Sequence, residues 1–194
     1  MRKFILVMLL TMVSLGLSRG VIAQVVNVNG VMVENHVHLG ARDLLLNGSG
    51  VRRKYIIDIY VVALYLTAKQ FSAAAVLADK GEKRIVMHVV NDLNAGELLY
   101  LFKKSIKSNH TEEELAALSR QIGQFEDIFY RIGELNKGDV IQMDYHPGIG
   151  TRLMVNGAQR GVIIGDVFYN VLLKIWLGEN PVHERLKQQL LGAP

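Results

Sequence analysis

Arg52 stands at the mouth of a long apolar run, "NGSGVRRKYIIDIYVVALYL" (Asn47–Leu66). An arginine presents a planar fork of donors that fits a carboxylate. Tyr60, further along the same run, adds a phenolic donor. Along an unbroken strand Arg52, Ile56, Tyr60, Val62 and Leu64 have one parity and hence one face. A bulge or turn between them would break that count. Two readings stay open. In the first, Arg52 and Tyr60 anchor an anion at the edge of an apolar cleft. In the second, Arg52 pairs with an internal carboxylate such as Asp58, or is solvated at a strand end. Arg53 and Lys54 need nothing beyond a solvated strand end.

Other constellations carry less. His36 and His38, in "NHVHL", point the same way from a strand, but spacing names no third metal ligand. No metal site is expected. The chain has no cysteine, which excludes a disulfide framework and a Cys-based zinc site. No Walker loop, dinucleotide fingerprint or nucleophile elbow is present, and no cofactor is expected. "GIGTR" (Gly148–Arg152) leads into a hairpin rather than a helix, so it reads as a turn and not a phosphate loop.

Gln24–Val33 reads as strand, Asn29-Gly30 turn, strand. Asp43–Asn47 reads as a short strand closed by Asn47-Gly48. Val51–Leu66 is one long strand, or two with a tight turn. It is apolar on both faces, which suits the centre of a covered sheet. A short Ala-rich helix over Phe71–Lys80 and a strand over Lys83–Val90 follow. From Asn94 the period becomes helical: Leu98, Leu101, Phe102, Ser105 and Ile106 share one face, and Lys103, Lys104 and Lys107 the other. Thr111 and Glu114 form a capping box, and Leu115, Leu118, Ile122, Phe125, Phe129 and Ile132 continue as one stripe. Val140–His146 is a strand, and Thr151–Val155 with Gln159–Ile163 is a hairpin across Asn156-Gly157. Val167–Leu177 is a helix ended by Gly178, and Asn180-Pro181 opens a last helix through Leu191. Strands, helices, a hairpin and helices in that order indicate α+β.

The 194 residues suit a single domain behind a leader. Arg2 and Lys3, an apolar run from Phe4 to Leu17, and small residues at Val21 and Ala23 read as a secretory signal peptide over residues 1–23. The run falls short of the about 20 residues that span a bilayer. The mature domain is expected over 24–194, periplasmic or secreted, with no integral membrane span. Losing three basic residues and no acidic one takes the formal charge from +4 to +1. The remaining basic residues are scattered, and no nucleic-acid partner is expected.

"LNGSGVRRKYIIDIYVVALYL", the helix pair after Asn94, "MVNGAQRGVIIGDVFYNVLLKIWLG" and "NPVHERLKQQLLG" together resemble the chalcone isomerase-like family, and most of all its bacterial secreted branch. The resemblance covers roughly Leu44–Gly192. It implies an open-faced β-sandwich, a large antiparallel sheet with helices packed on one face and the ligand cleft between them. Known members are plant isomerases that close chalcones to flavanones, fatty-acid-binding relatives, and noncatalytic partner proteins. The family's arginine matches Arg52, which in the isomerases is an electrophilic catalyst and in the fatty-acid binders holds the carboxylate. Tyr60 falls where the isomerases have a catalytic threonine and the fatty-acid binders a tyrosine. The isomerases' helical tyrosine and asparagine land on Leu99 and Ile106, with Tyr100 turned toward the lysine face, and their Ser/Thr lands on Ile175. Of the isomerase's polar set only the arginine is kept. The resemblance therefore implies a cleft for a fatty-acid-like or other small apolar anion. The alternatives are an isomerase of the intramolecular lyase type acting on a chalcone-like or other enone, with Arg52 and Tyr60 catalytic, and a partner protein without a small ligand.

Overall fold

The computed structural model describes residues 24–192. The expected leader over 1–23 lies outside the described residues. No helix among the described residues is long and apolar enough to cross a membrane.

The described residues open with a hairpin, β1 (Val25–Val28) and β2 (Val31–Glu34), turned at Asn29-Gly30. Then come β3 (His36–Leu39), β4 (Arg42–Lys54) and β5 (Ile57–Leu66). The short helix α1 (Ala73–Ala78) leads to β6 (Lys83–Val89) and β7 (Leu93–Asn94). Three helices follow: α2 (Ala95–Ser108), α3 (Glu112–Ala117) and α4 (Ser119–Ile132). The chain closes with β8 (Glu134–Leu135), β9 (Val140–His146), β10 (Gly150–Val155), β11 (Ala158–Ile164), α5 (Val167–Leu177) and α6 (Glu184–Leu190). Seven strands form one antiparallel sheet in the order β11-β10-β9-β6-β5-β4-β3, and the helices pack on one face of it.

β5 is the spine of this α+β fold. Tyr60, Val62, Leu64 and Leu66 face the helices, while Val61, Ala63 and Tyr65 face the opposite cluster with Val33, Leu44 and Leu46. Both sets are buried, which explains a run with no polar alternation. Tyr65 Oη donates to the Glu34 carbonyl at 2.9 Å, tying the β1–β2 hairpin over the second face. The helical side is closed by an aromatic cluster in which Phe102 meets Phe129 and Trp176 edge-on, at 5.9 and 5.6 Å.

Four expectations need correction. Asn47-Gly48 does not end a strand: β4 runs straight through it, with a bulge between Leu46 and Gly48. The Asn47 amide instead donates to the Leu190 carbonyl at 2.7 Å and the Gln70 carbonyl at 2.9 Å, and accepts from Gln70 N–H. That buried amide therefore latches α6 and the β5–α1 connection to the sheet. A Cβ on Gly48 would sit 2.1 Å from the Gln189 carbonyl oxygen, so glycine is needed there to let the end of α6 approach. Second, of the two readings of Val51–Leu66 the structure has two strands with a tight turn at Tyr55-Ile56, so Ile56 lies at that turn rather than on the face of Tyr60. Third, the stripe from Leu115 to Ile132 is divided between α3 and α4 at Leu118. Fourth, the last helix begins at Glu184, because the His183 side chain accepts from Leu186 N–H and caps it there.

Candidate functional site

The bulge at Asn47 decides which way Arg52 faces. Leu44 and Leu46 face away from the helices, and simple alternation would send Gly48, Gly50 and Arg52 the same way. The extra residue reverses the parity. Gly48 then pairs with Leu64, and Arg52 pairs with Tyr60, both of which belong to the helical side. Arg52 and Tyr60 thus share a face as direct cross-strand neighbours, not as distant positions of one strand. A second register shift, between Arg52 and Arg53, follows immediately.

The two residues line a cavity of about 330 Å³, within the size range of small-ligand sites. One wall is β4–β5, through Arg52, Ile59 and Tyr60. The opposite wall is α2, through Leu98, Leu101, Phe102 and Ser105, with Lys104 and Ser108 also contributing. Asn180, Pro181 and Val182 close it. That segment is fastened to the end of α2: the Asn109 side chain accepts from Asn180 N–H at 2.9 Å and donates to the Asn180 carbonyl at 2.8 Å. Asn180 in turn donates to the Ser108 carbonyl at 2.9 Å. These bonds hold residues 180–182 as a wall where the sequence pattern expects a helix.

The electrostatics are one-sided. Two cations, Arg52 and Lys104, line the cavity and no carboxylate does. Asp58, the internal partner considered for Arg52, is taken by Arg53, whose guanidinium donates to both carboxylate oxygens. Asn29 adds a third bond to Asp58 at 2.9 Å. Arg53 is therefore a structural ion pair just behind the β4–β5 turn, more than a solvated strand end. Arg52 makes no ion pair among the described residues. One of its nitrogens donates to the Arg53 backbone carbonyl, which turns the guanidinium without neutralising it.

Tyr60 is buried, 2% exposed, and its Oη accepts from Trp176 Nε1 at 3.0 Å. Burial pushes its phenol up to about 12, while Trp176 and the Arg52 charge pull the other way. The hydroxyl is neutral at physiological pH, so it keeps a proton to donate. That proton has no acceptor among the described residues. The site offers a cation and a neutral O–H donor at the head of an apolar cleft, an arrangement that suits a carboxylate with an apolar tail.

Leu99 and Ile106 are buried but do not line this cavity; Leu98 and Ser105, each one residue earlier, do. Tyr100 is exposed, beside the lysine face as expected. Ile175 is buried in the core, and its carbonyl accepts from Ser105 Oγ at 3.3 Å and Val182 N–H at 2.9 Å. Sequence reasoning missed Trp176 and Asn109, whose roles depend on contacts far along the chain. Lys104, on the outer face by helical count, also lines the cavity, because a long side chain at the edge of a helix face reaches both sides. His36 and His38 are exposed, and His38 pairs with Asp43 at 2.5 Å. Among the described residues no group of three or more His, Asp or Glu side chains could hold a metal.

Among solved structures the chain is similar to a fatty-acid binding protein of Arabidopsis thaliana, with a TM-score of 0.66. Identity is 15%, over 84% of this chain and 92% of that one, so the likeness bears on the fold. No curated protein matches the sequence. The sequence model of the chalcone isomerase-like family matches residues 25–192, nearly all of the domain. The chain therefore belongs to the chalcone isomerase-like family.

Proposed function

We propose that this protein binds a fatty-acid-like or other small apolar anion in the cleft between β4–β5 and α2, with Arg52 and Tyr60 holding the anionic head. The observation that carries the reading is the pairing of Arg52 with Tyr60 at a cavity lined by cations and no carboxylate. A carboxylate contact to such an arginine contributes about 1.5–3 kcal/mol. Each buried CH₂ adds about 0.8 kcal/mol, so tail length governs affinity more than the head group does. The fatty-acid binding protein of similar fold supports the ligand class. The expected leader supports a periplasmic or secreted location.

Displacement of a fluorescent fatty acid by saturated acids of increasing length tests the reading. Affinity should rise with length until the cleft is full, and Arg52→Ala should weaken every acid by about tenfold or more. Equal binding by wild type and the folded variant would sink it. The isomerase alternative is weaker, because Leu99, Ile106 and Ile175 supply no polar group where the resemblance would need one. Its test is turnover of a chalcone or another enone above the level of the arginine variant.

A further inference from the structure

The β4–β5 hairpin projects beyond the sheet. The β6 register on β5 stops at Tyr60, and β3 covers only the far end of β4. Residues 53–58 therefore form a two-stranded ribbon without a strand on either side. Its tip is Tyr55-Ile56, followed by Ile57, and the three are 89%, 93% and 58% exposed. These are unusual turn residues. The other two-residue turns among the described residues, at Asn29-Gly30, Gly40-Ala41 and Asn156-Gly157, each carry the glycine such a turn favours. Tyr55 sits at φ +56°, a region costly for a bulky side chain and natural for glycine. Polar turn residues would suit both the backbone and the solvent better, so local preference gives way here to something else.

We infer that this tip is a membrane-surface contact that seats the mouth of the cleft on an anionic lipid bilayer. Tyrosine and aliphatic side chains preceded by basic residues match the boundary between headgroups and acyl chains. Arg53 and Lys54 stand directly behind the tip, and Lys54 is in no ion pair among the described residues. Arg53 is held by Asp58 across the ribbon, so Lys54 is the unpaired cation behind three apolar side chains, and it complements a phosphate-rich surface over an apolar interior. A protein partner fits less well, since a stable interface buries about 800 Å² on each side and this tip is one narrow turn. The legs of the ribbon lead straight to the cavity: Arg52 and Ile59 line it from its two strands. A lipid-like anion leaving the bilayer at the tip would pass Lys54 and meet Arg52 at the cavity. The inference deepens the ligand reading and rests on it only for the source of the ligand.

The absence of cysteine makes the test direct. Ile56→Cys, in the full chain as its host processes it, receives one environment-sensitive fluorophore. Lys80→Cys, in the exposed connection at the opposite end of β5 and β6, is the control. On phosphatidylglycerol–phosphatidylethanolamine vesicles the label at 56 should shift to the blue while the label at 80 stays in water. Adding Lys54→Glu should lower that partitioning by about tenfold or more, with little change on phosphatidylcholine. A water-like label at 56 on every vesicle would overturn the inference, including where cross-linking from 56 traps a second protein or a second copy. An equal shift at 80 would overturn it too. A tip that inserts on a chain without an acyl ligand would sink the ligand reading alone; an acyl-loaded chain whose tip stays in water would sink this one alone.

Discussion

Tyr60→Phe separates two roles of one hydroxyl. In the folded protein Oη accepts from Trp176 Nε1 at 3.0 Å, and both side chains are buried. Removing the oxygen leaves an indole N–H without its partner, which costs about 1–3 kcal/mol. For a domain of this size that is a fall in Tm of about 3–9 °C. The same oxygen carries the proton offered to a ligand carboxylate, so affinity should fall by about tenfold or more. A double-mutant cycle with Trp176→Phe divides the two effects. The single Trp176 change also loses its edge contact with Phe102, but the cycle cancels that packing loss. Denaturant unfolding of the four proteins should give a stability coupling of about 1–2 kcal/mol. Titration of a fluorescent fatty acid into the same four should give almost no coupling, since Trp176 does not line the cavity. Additive stability losses would refute the Trp176–Tyr60 bond as a structural contact. Undiminished affinity in folded Tyr60→Phe would remove the phenol from the ligand set.

Gly48→Ala should cost several kcal/mol or prevent folding, because its Cβ would meet the Gln189 and Leu190 carbonyl oxygens at 2.1 and 2.7 Å. Gly123→Ala, within α4 and facing open space, should stabilise the protein by about 0.5–1 kcal/mol; thermal unfolding compares the two. Asp144→Asn should lose about 3–5 kcal/mol in denaturant unfolding. Asp144 is fully buried between Arg84 Nε at 2.6 Å and Arg152 Nη2 at 3.1 Å, and its loss leaves the buried Arg84 charge unpaired. Burial raises the phenol of Tyr60 to about 12 and also raises those of Tyr65 and Tyr169. The folded chain then keeps protons that the unfolded chain releases from about pH 10 upward. Stability should be intact below about pH 10 and decline as pH rises toward 12, with a shallower decline in Tyr60→Phe.

The elements were legible where one local rule governs them. Asn29-Gly30 and Asn156-Gly157 are hairpin turns because few other pairs adopt that backbone cheaply. The capping box at Thr111 and the glycine after Leu177 mark helix ends through their own short-range bonds. Asn47-Gly48 has the same letters as those turns and a different structure. Its amide is satisfied by residues 70 and 190, and nothing nearby in the sequence announces them. The start of α6 is hidden from the sequence for a similar reason. Asn180 and Pro181 can open a helix, but the Asn109 clamp commits that backbone to the end of α2.

Arg52 and Tyr60 stood out by residue type, and they do share a face, though by a different route. Parity along one strand would put them on one face eight residues apart, whereas the turn at Tyr55-Ile56 places them opposite each other. The bulge that turns Arg52 toward the helices was invisible, since parity along one strand says nothing about an extra residue in the pairing. Asp58 is taken by Arg53, whose place at a strand end suggests only solvation. Trp176 escaped notice because a tryptophan in an apolar helix reads as packing, and its indole N–H acquires meaning only with Tyr60 beside it.

Native mass spectrometry of the protein purified from its own host addresses the cleft most directly. The account predicts a co-purifying acyl anion on the wild type that is lost from Arg52→Ala while the fold, followed by circular dichroism, persists. A wild type that flies empty and takes up no added fatty acid, or a folded variant as fully loaded as the wild type, would contradict it.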